Sequence, residues 1–399
     1  MALGLWLACT LPFLDRSRLQ DSDELTHACV AKSAAVDGHW WPLTYQGRVF
    51  YEKPPLQLWL AAAAAQASGQ PRAAWPYRIW NGLGAGLALA SLVALGALLG
   101  RPAAGWAAAG LLALQGDWLF HARFFTFDTP FVGLALAALA AGLWATQGPA
   151  RRWWLSGALL ALAVWIKSWF VLALGPAWAW GLWAALPAGR RGAAAWRLAL
   201  PVAAALLLWL ALYVDWNGWG FLAEEWNQNL MGRALGRSNV NDPDGVLAYY
   251  LKWSQRSCPA LLPLALAVPL GLWPGPAGAD ADARPASPLR LASGFTWALC
   301  ASWLLGLCVQ RAQTINYLLP LEAALALGLG LAVDAAVDRG TDAALALLLL
   351  ACAASSRRWW PPQLSLALGL PLGALWLWSR GRGAPRHSRW AWLALAGLL

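Results

Sequence analysis

Six short stretches of this 399-residue chain combine residue types able to move a proton or hold an anion. Asp23-Glu24 offers carboxylates, one of which can accept a proton from a hydroxyl group. As a pair at the start of a helix the same residues would only complement its positive end. In Tyr51-Glu52-Lys53-Pro54-Pro55 two prolines restrict the backbone and hold an acid and an amine just ahead of a helix. A lysine held there can meet a phosphate as a point charge, and a solvated Glu/Lys pair is the plainer account. His121-Ala-Arg123-Phe-Phe-Thr126-Phe-Asp128-Thr-Pro130 puts an arginine and an aspartate into a very short turn beside apolar segments. Charges so near hydrocarbon are costly unless paired or used, so an Arg123–Asp128 ion pair competes with catalysis there.

The other three stretches are of the same kind. Lys167, in Val-Trp-Ile-Lys-Ser-Trp-Phe-Val, sits between two apolar segments joined by almost no loop. Snorkelling alone would place it there. Glu224-Glu-Trp-Asn-Gln-Asn229 leads to Arg233, Arg237 and Tyr249-Tyr250; Arg233 can fork onto a phosphate, and a solvated amphipathic segment is the alternative. Arg311-Ala-Gln-Thr-Ile-Asn-Tyr317-Leu-Leu-Pro320 brings Arg, Asn and Tyr into one tight turn, where an ordinary snorkelling Arg and an interfacial Tyr would also fit. Acids suited to proton transfer and bases suited to an anion thus recur together.

The elements that must position these residues are membrane helices. Charged residues make up 12% of the chain and hydrophobic ones 60%, against roughly a quarter charged in a soluble domain. At about 20 apolar residues per crossing the length has room for roughly ten to thirteen spans. Apolar segments run from 2–14 to 389–399 and include 79–99, 103–119, 129–147, 153–166, 169–187, 197–214 and 316–333. The expectation is an all-α integral membrane protein of about 11–13 transmembrane helices, residues 1–399 forming a single domain with no separate soluble C-terminal domain. The net charge of +10 does not point to nucleic acid, because the basic residues do not run together with aromatics and Gly.

Topology accounts for the charge better. Arg101, Arg151-Arg152, Arg190-Arg191, Arg284 with Arg290, Arg339 and Arg380/Arg382/Arg386 fall in short turns that alternate onto one side. Short basic loops stay cytoplasmic. The long stretches 15–78 and 215–257, and all six candidate stretches, then face outward. Within 15–78 a short helix is expected to run to Val36, with acidic residues at its start and Gly38 and Trp40-Trp41-Pro42 at its end. Six cysteines show no C-x-x-C spacing; Cys29 and Cys258 both fall on the outer side, within reach of pairing.

In this order the motifs resemble those of the aminoarabinose (lipid A) transferases and protein O-mannosyltransferase-like glycosyltransferases of the GT-C fold. The resemblance rests on Asp23-Glu24, Phe50-Tyr51-Glu52-Lys53-Pro54-Pro55-Leu56 followed by Trp59, Arg123-x4-Asp128-x-Pro130, Lys167, the Asn-rich stretch with Arg233 and Tyr249-Tyr250, and Tyr317-x-x-Pro320. It implies an inverting transfer of a sugar from a polyprenyl-phosphate donor to a hydroxyl or phosphate on a glycolipid, polysaccharide or protein acceptor, at the periplasmic face of a bacterial inner membrane. By that likeness Asp23 is the base, Asp128 supports it, and Lys53, Lys167, Arg233 and Arg123 hold the donor phosphate. Glu24, Glu52, Tyr317 and Arg311 line the substrate, and Glu52 is similar to a position that holds a divalent metal in some relatives. No other cofactor is implied. The chain departs from the pattern in carrying Asn241-Asp242 where relatives often have a His, and Gln313 where a basic residue is usual. A transporter or flippase of lipid-linked sugars is the rival class, expected to carry charges near the bilayer midplane in broken helices.

Overall fold

The computed structural model describes residues 6, 10–19, 22–113, 115–176, 178–179, 186–230, 302 and 319–338, and within these the chain is nearly all helix. The first element, α1 (Ser22–Asp37), opens with Asp23 and Glu24 in its first turn and stops at Gly38, whose φ of +79° suits glycine. A hairpin of β1 (Thr44–Tyr45) and β2 (Arg48–Val49) follows, with Thr44 opposite Val49 and Tyr45 opposite Arg48. Gln46 and Gly47 both have positive φ, the geometry of the tight turn that matches strand twist. Next comes α2 (Leu56–Ser68), entered through Pro54-Pro55 and closed by Gly69 at φ +64°. The expected helix running to Val36 is present, and the stretch 15–78 also holds the hairpin and a second helix.

The bundle proper begins with α3 (Trp75–Leu98), whose start is capped at long range: Asp15 Oδ1 accepts from the Ala74 and Trp75 N–H groups at 2.7 and 3.3 Å. Beyond it lie α4 (Pro102–Ala113), α5 (Gly116–Ala122), α6 (Asp128–Thr146), α7 (Trp153–Lys167), α8 (Ala188–Asn217), α9 (Gly220–Glu224) and α10 (Leu319–Asp338). The segment 103–119 is not the one helix its hydropathy suggests. It divides into α4 and α5 about Gln115, whose backbone is extended. Among the described residues, four helical runs are long and apolar enough to cross a membrane: Trp75–Leu98, Asp128–Thr146, Ala150–Leu174 and Ala188–Asn217. The third turns back within itself. Ser168 takes φ +44°, and Trp178 then packs against Trp153 at the far end of α7. Lys167 therefore sits at a reversal between two segments, as the near absence of a loop implies.

Helices in lipid gain little from hydrophobic exclusion and associate through close backbone approach at small residues. That is how these helices meet. A Cβ on Gly84 of α3 would fall 2.5 Å from Pro130 Cα of α6, and one on Gly105 of α4 would fall 2.8 Å from the Leu92 carbonyl of α3. Gly157 of α7 stands equally tight on the Arg197 carbonyl of α8, at 2.7 Å. The apolar face of α8 that carries Leu200, Leu207 and Leu208 is exposed, as lipid-facing leucines should be.

The two ends of the bundle differ in chemistry. Arg152 lies over the Trp144 ring at 3.9 Å, Arg190 donates to the Gly148 carbonyl, and Arg101 pairs with Asp334 at 3.1 Å. These join the last turn of α6, the starts of α7 and α8 and the turn after α3 into one basic end. The first turns of α3 and α6 and the last turn of α7 lie at the other.

Gly84→Ala should destabilise the α3–α6 contact by about 1–3 kcal/mol, the usual range for overpacking a tight interface. Thermal unfolding of the detergent-purified protein checks this; an unchanged midpoint would mean that the helices can part there without loss.

Candidate active site

At the end opposite the arginine turns, α1 is fastened to α3 by a buried ion pair. Arg78 Nε and Nη2 donate to Glu24 Oε1 and Oε2 at 2.7 and 2.9 Å, a bidentate fork between side chains that are 1% and 0% exposed. The remaining donors of Arg78 go to the carbonyls of Leu14, Ser17 and Arg18, and Glu24 Oε1 also accepts from the Phe125 N–H at 2.9 Å. One carboxylate thus positions three segments: the 10–19 stretch, α3 and the turn before α6.

That turn is further set by uncharged polar groups. Gln57 of α2 donates to Asn81 Oδ1 at 2.9 Å and to the Thr126 carbonyl at 2.6 Å; Asn81 of α3 donates to the same carbonyl at 2.6 Å and to Thr129 Oγ1 at 3.2 Å. Buried amides of this kind must be satisfied in one arrangement, so they specify the turn geometry. Asp128 follows at the first residue of α6, where the helix dipole favours a carboxylate. Its partner is Lys167, the last residue of α7, in an ion pair that is almost wholly buried. The ammonium also lies 4.5 Å from the centre of the Phe170 ring. The partner of Asp128 is therefore Lys167 and not Arg123, whose guanidinium is stacked 5.0 Å from the Phe13 ring.

Lys53 reaches the same end by another route. Pro54 and Pro55 are buried, and the Tyr213 hydroxyl of α8 donates to the Lys53 carbonyl at 2.5 Å. Its positive charge is felt by His27 of α1. Burial first, and the Lys53 charge second, hold that imidazole down at about 3, so it is neutral in the folded protein. The His27 ring stands edge-on to Phe127, the neighbour of Asp128, at 4.7 Å. His27 thus lies within range of the Lys53 charge and against Phe127, the residue before Asp128. One residue beyond Glu52 in the other direction, the Tyr51 hydroxyl donates to Glu224 Oε1 at 2.6 Å, and this bond, burial and the charge of Glu224 push Tyr51 up to about 12.

Asp23 is exposed on the first turn of α1, next to the anchored Glu24. Glu52 is exposed and Arg123 half-buried. Among the described residues no three or more His, Cys, Asp or Glu side chains gather as metal ligands. Arg233, Arg311 and Tyr317 lie outside the described residues, as does Cys258; Cys29 is an exposed free thiol. Reading along the sequence leaves out Arg78, which borders the apolar segment 79–99 and is the partner of Glu24. It leaves out His27, Gln57 and Asn81 as well. The one signal available for these was a polar residue at or inside an apolar helix, and such a residue needs a partner.

No family model and no curated protein matches the sequence. Solved structures do. The ArnT of Cupriavidus metallidurans, crystallised with undecaprenyl phosphate, superposes with a TM-score of 0.67 at 19% identity, over 100% of this chain and 73% of that one. The apo form of the same protein gives 0.66 at 20% identity with the same coverage. An oligosaccharyltransferase of Archaeoglobus fulgidus in its apo form gives 0.56 at 14% identity, over 89% of this chain and 55% of that one. The fold is of the GT-C type. At these identities the likeness is one of fold. In this fold α1 and α2 pack over the first turns of α3 and α6, where the polar residues above lie.

Because His27 is neutral when folded and takes a proton near pH 6.5 when unfolded, its contribution is fully present above pH 6.5 and lost as pH falls toward 3. The loss amounts to about 2 kcal/mol by pH 5. His27→Leu should remove that part of the acid sensitivity, read as a shallower fall of the melting temperature between pH 6.5 and 5. Parallel curves for the two proteins would count against it.

Proposed function

We propose that the protein is a glycosyltransferase that moves a sugar from a polyprenyl-phosphate donor, of the undecaprenyl type, to a hydroxyl or phosphate of a glycolipid, polysaccharide or protein, with inversion, at the periplasmic face of a bacterial inner membrane. The observation that carries this reading is the buried Lys167–Asp128 pair, at the end of a GT-C bundle opposite its arginine turns, with Lys53 near enough to His27 of that same end for its charge to act there. Short basic turns favour the cytoplasm, which leaves the lysine end outside. The ArnT structure bound to undecaprenyl phosphate supports a lipid phosphate as the anion these lysines face.

In this reading the acceptor oxygen attacks the anomeric carbon and the bond from that carbon to the phosphate oxygen breaks. The acceptor proton passes to Asp23, whose exposed position on α1 leaves it open to an incoming acceptor. The electron pair of the broken bond stays on the lipid phosphate. Lys53 and Lys167, with Arg123 and Arg233, stabilise the charge growing there, and fixed cations aimed at a leaving group lower the barrier directly. Asp128 holds the Lys167 ammonium in place through their buried ion pair. Glu24, Glu52, Arg311 and Tyr317 complete the substrate surroundings, Glu24 by holding α1 in place through Arg78.

Lys53→Ala should weaken undecaprenyl-phosphate binding by about 2–4 kcal/mol, the loss seen when a charge-stabilising donor is removed. Asp23→Asn should abolish transfer while the protein stays inserted and folded. Equilibrium binding of undecaprenyl phosphate to the purified protein and its Lys53→Ala variant reads the first effect, and mass spectrometry of cellular glycolipids and glycoproteins with the gene, without it and with Asp23→Asn reads the second. Turnover retained by Asp23→Asn would remove Asp23 as the base, and unaltered binding by Lys53→Ala would remove the phosphate role.

A further inference from the structure

Two consecutive carboxylates, Glu224 and Glu225, bond to residues close in sequence to Lys53 and Lys167. Helix α9 passes at Glu225 into a π-helical turn, Glu225–Leu230, a local form that recurs at functional positions. At that junction Glu224 Oε1 accepts from the Tyr51 hydroxyl at 2.6 Å, and Glu225 Oε1 accepts from Trp169 Nε1 at 3.0 Å. Tyr51 lies two residues before Lys53, and Trp169 two residues after Lys167. The backbone next to each lysine is thus tied to one helix end, and that helix leads in sequence to Arg233.

We infer that Glu224 and Glu225 are positioning residues that set the two phosphate-facing lysines in register, Glu224 acting on Lys53 through Tyr51 and Glu225 acting on Lys167 through Trp169. The inference rests on the donor reading above and adds to it the device that holds the cations. Three observations support it. Both bonds run to glutamate carboxyl oxygens at 2.6 and 3.0 Å. They join segments far apart in the chain, 173 residues for Tyr51–Glu224 and 56 for Trp169–Glu225. The surroundings are rigid: Tyr51 stands edge-on to Phe221 at 6.0 Å, Trp169 packs on Trp209 at 5.6 Å, and the Tyr213 hydroxyl holds the Lys53 carbonyl. With its hydroxyl pushed up to about 12 by Glu224, Tyr51 stays a donor throughout the neutral range.

The experiment measures undecaprenyl-phosphate binding to the full-length detergent-purified protein by microscale thermophoresis. Tyr51→Phe and Glu224→Ala should each weaken binding by about tenfold, the range for losing a hydrogen bond to a charged group, and together by no more than either alone. Glu224→Gln, which keeps an acceptor oxygen, should restore most of the affinity. Trp169→Phe and Glu225→Ala should behave as a second coupled pair. In a Lys53→Ala background, Tyr51→Phe should have no further effect, which a general loss of structure would not reproduce. If Glu224→Ala does not fold, Tyr51→Phe carries the measurement, since it removes a single oxygen. Wild-type affinity in Tyr51→Phe, or an equal loss with and without Lys53, would overturn the inference alone. No binding by the wild type, or unaltered binding in Lys53→Ala, would overturn it together with the donor reading.

Discussion

Everything at the end of the bundle opposite its arginine turns depends on how buried charge is neutralised. Separating an ion from water is costly by several kcal/mol even after relaxation, so a buried carboxylate persists only where its lone pairs are taken up. Glu24 meets that condition through the fork from Arg78 and the amide of Phe125, and Arg78 in turn through three carbonyls. The pair adds little to net stability compared with a well-packed apolar core. What it does is exclude other arrangements, because any shift of α1 against α3 would leave a charge stranded.

The second buried pair, Asp128 with Lys167, obeys the same rule with a different outcome. Here the cation ends a helix at a sharp reversal and the carboxylate begins another, so the pair is set by two helix termini and by the polar lattice of Gln57, Asn81 and Thr126 behind them. The Lys167 ammonium meets the Asp128 carboxylate and the face of Phe170. Under the proposed donor role, a phosphate arriving at such a lysine would find a charge already held in place, without the entropy needed to order a free side chain. Close packing at Gly84, Gly105 and Gly157 serves the same purpose from below, since helices in tight contact cannot slide to relieve a misplaced charge.

Much of the fold was legible in the chain before any coordinates. Alternating basic turns and apolar runs specify a membrane bundle and its two unlike ends, because hydropathy and charge act on each segment independently of what it later touches. The helix at 22–37 was legible for a similar reason: Asp23 and Glu24 at its start and Gly38 at its end are local signals. Division of 103–119 into α4 and α5 was not, since both halves are equally apolar and the break at Gln115 is a matter of backbone geometry. The Gln46-Gly47 turn was likewise hidden among polar residues that suit many loops.

The sequence by itself determined that Lys53, Asp128 and Lys167 lie near helix ends on one side of a membrane, because their neighbours' hydropathy and the prolines at 54 and 55 are written in adjacent residues. Only the tertiary structure decided the pairings: Asp128 with Lys167 in place of the nearer Arg123, Glu24 with Arg78, Tyr51 with Glu224. The physical reason is distance along the chain. An ion pair or hydrogen bond depends on separations of a few ångströms in space, and residues 39, 54 or 173 positions apart acquire such separations only when helices pack.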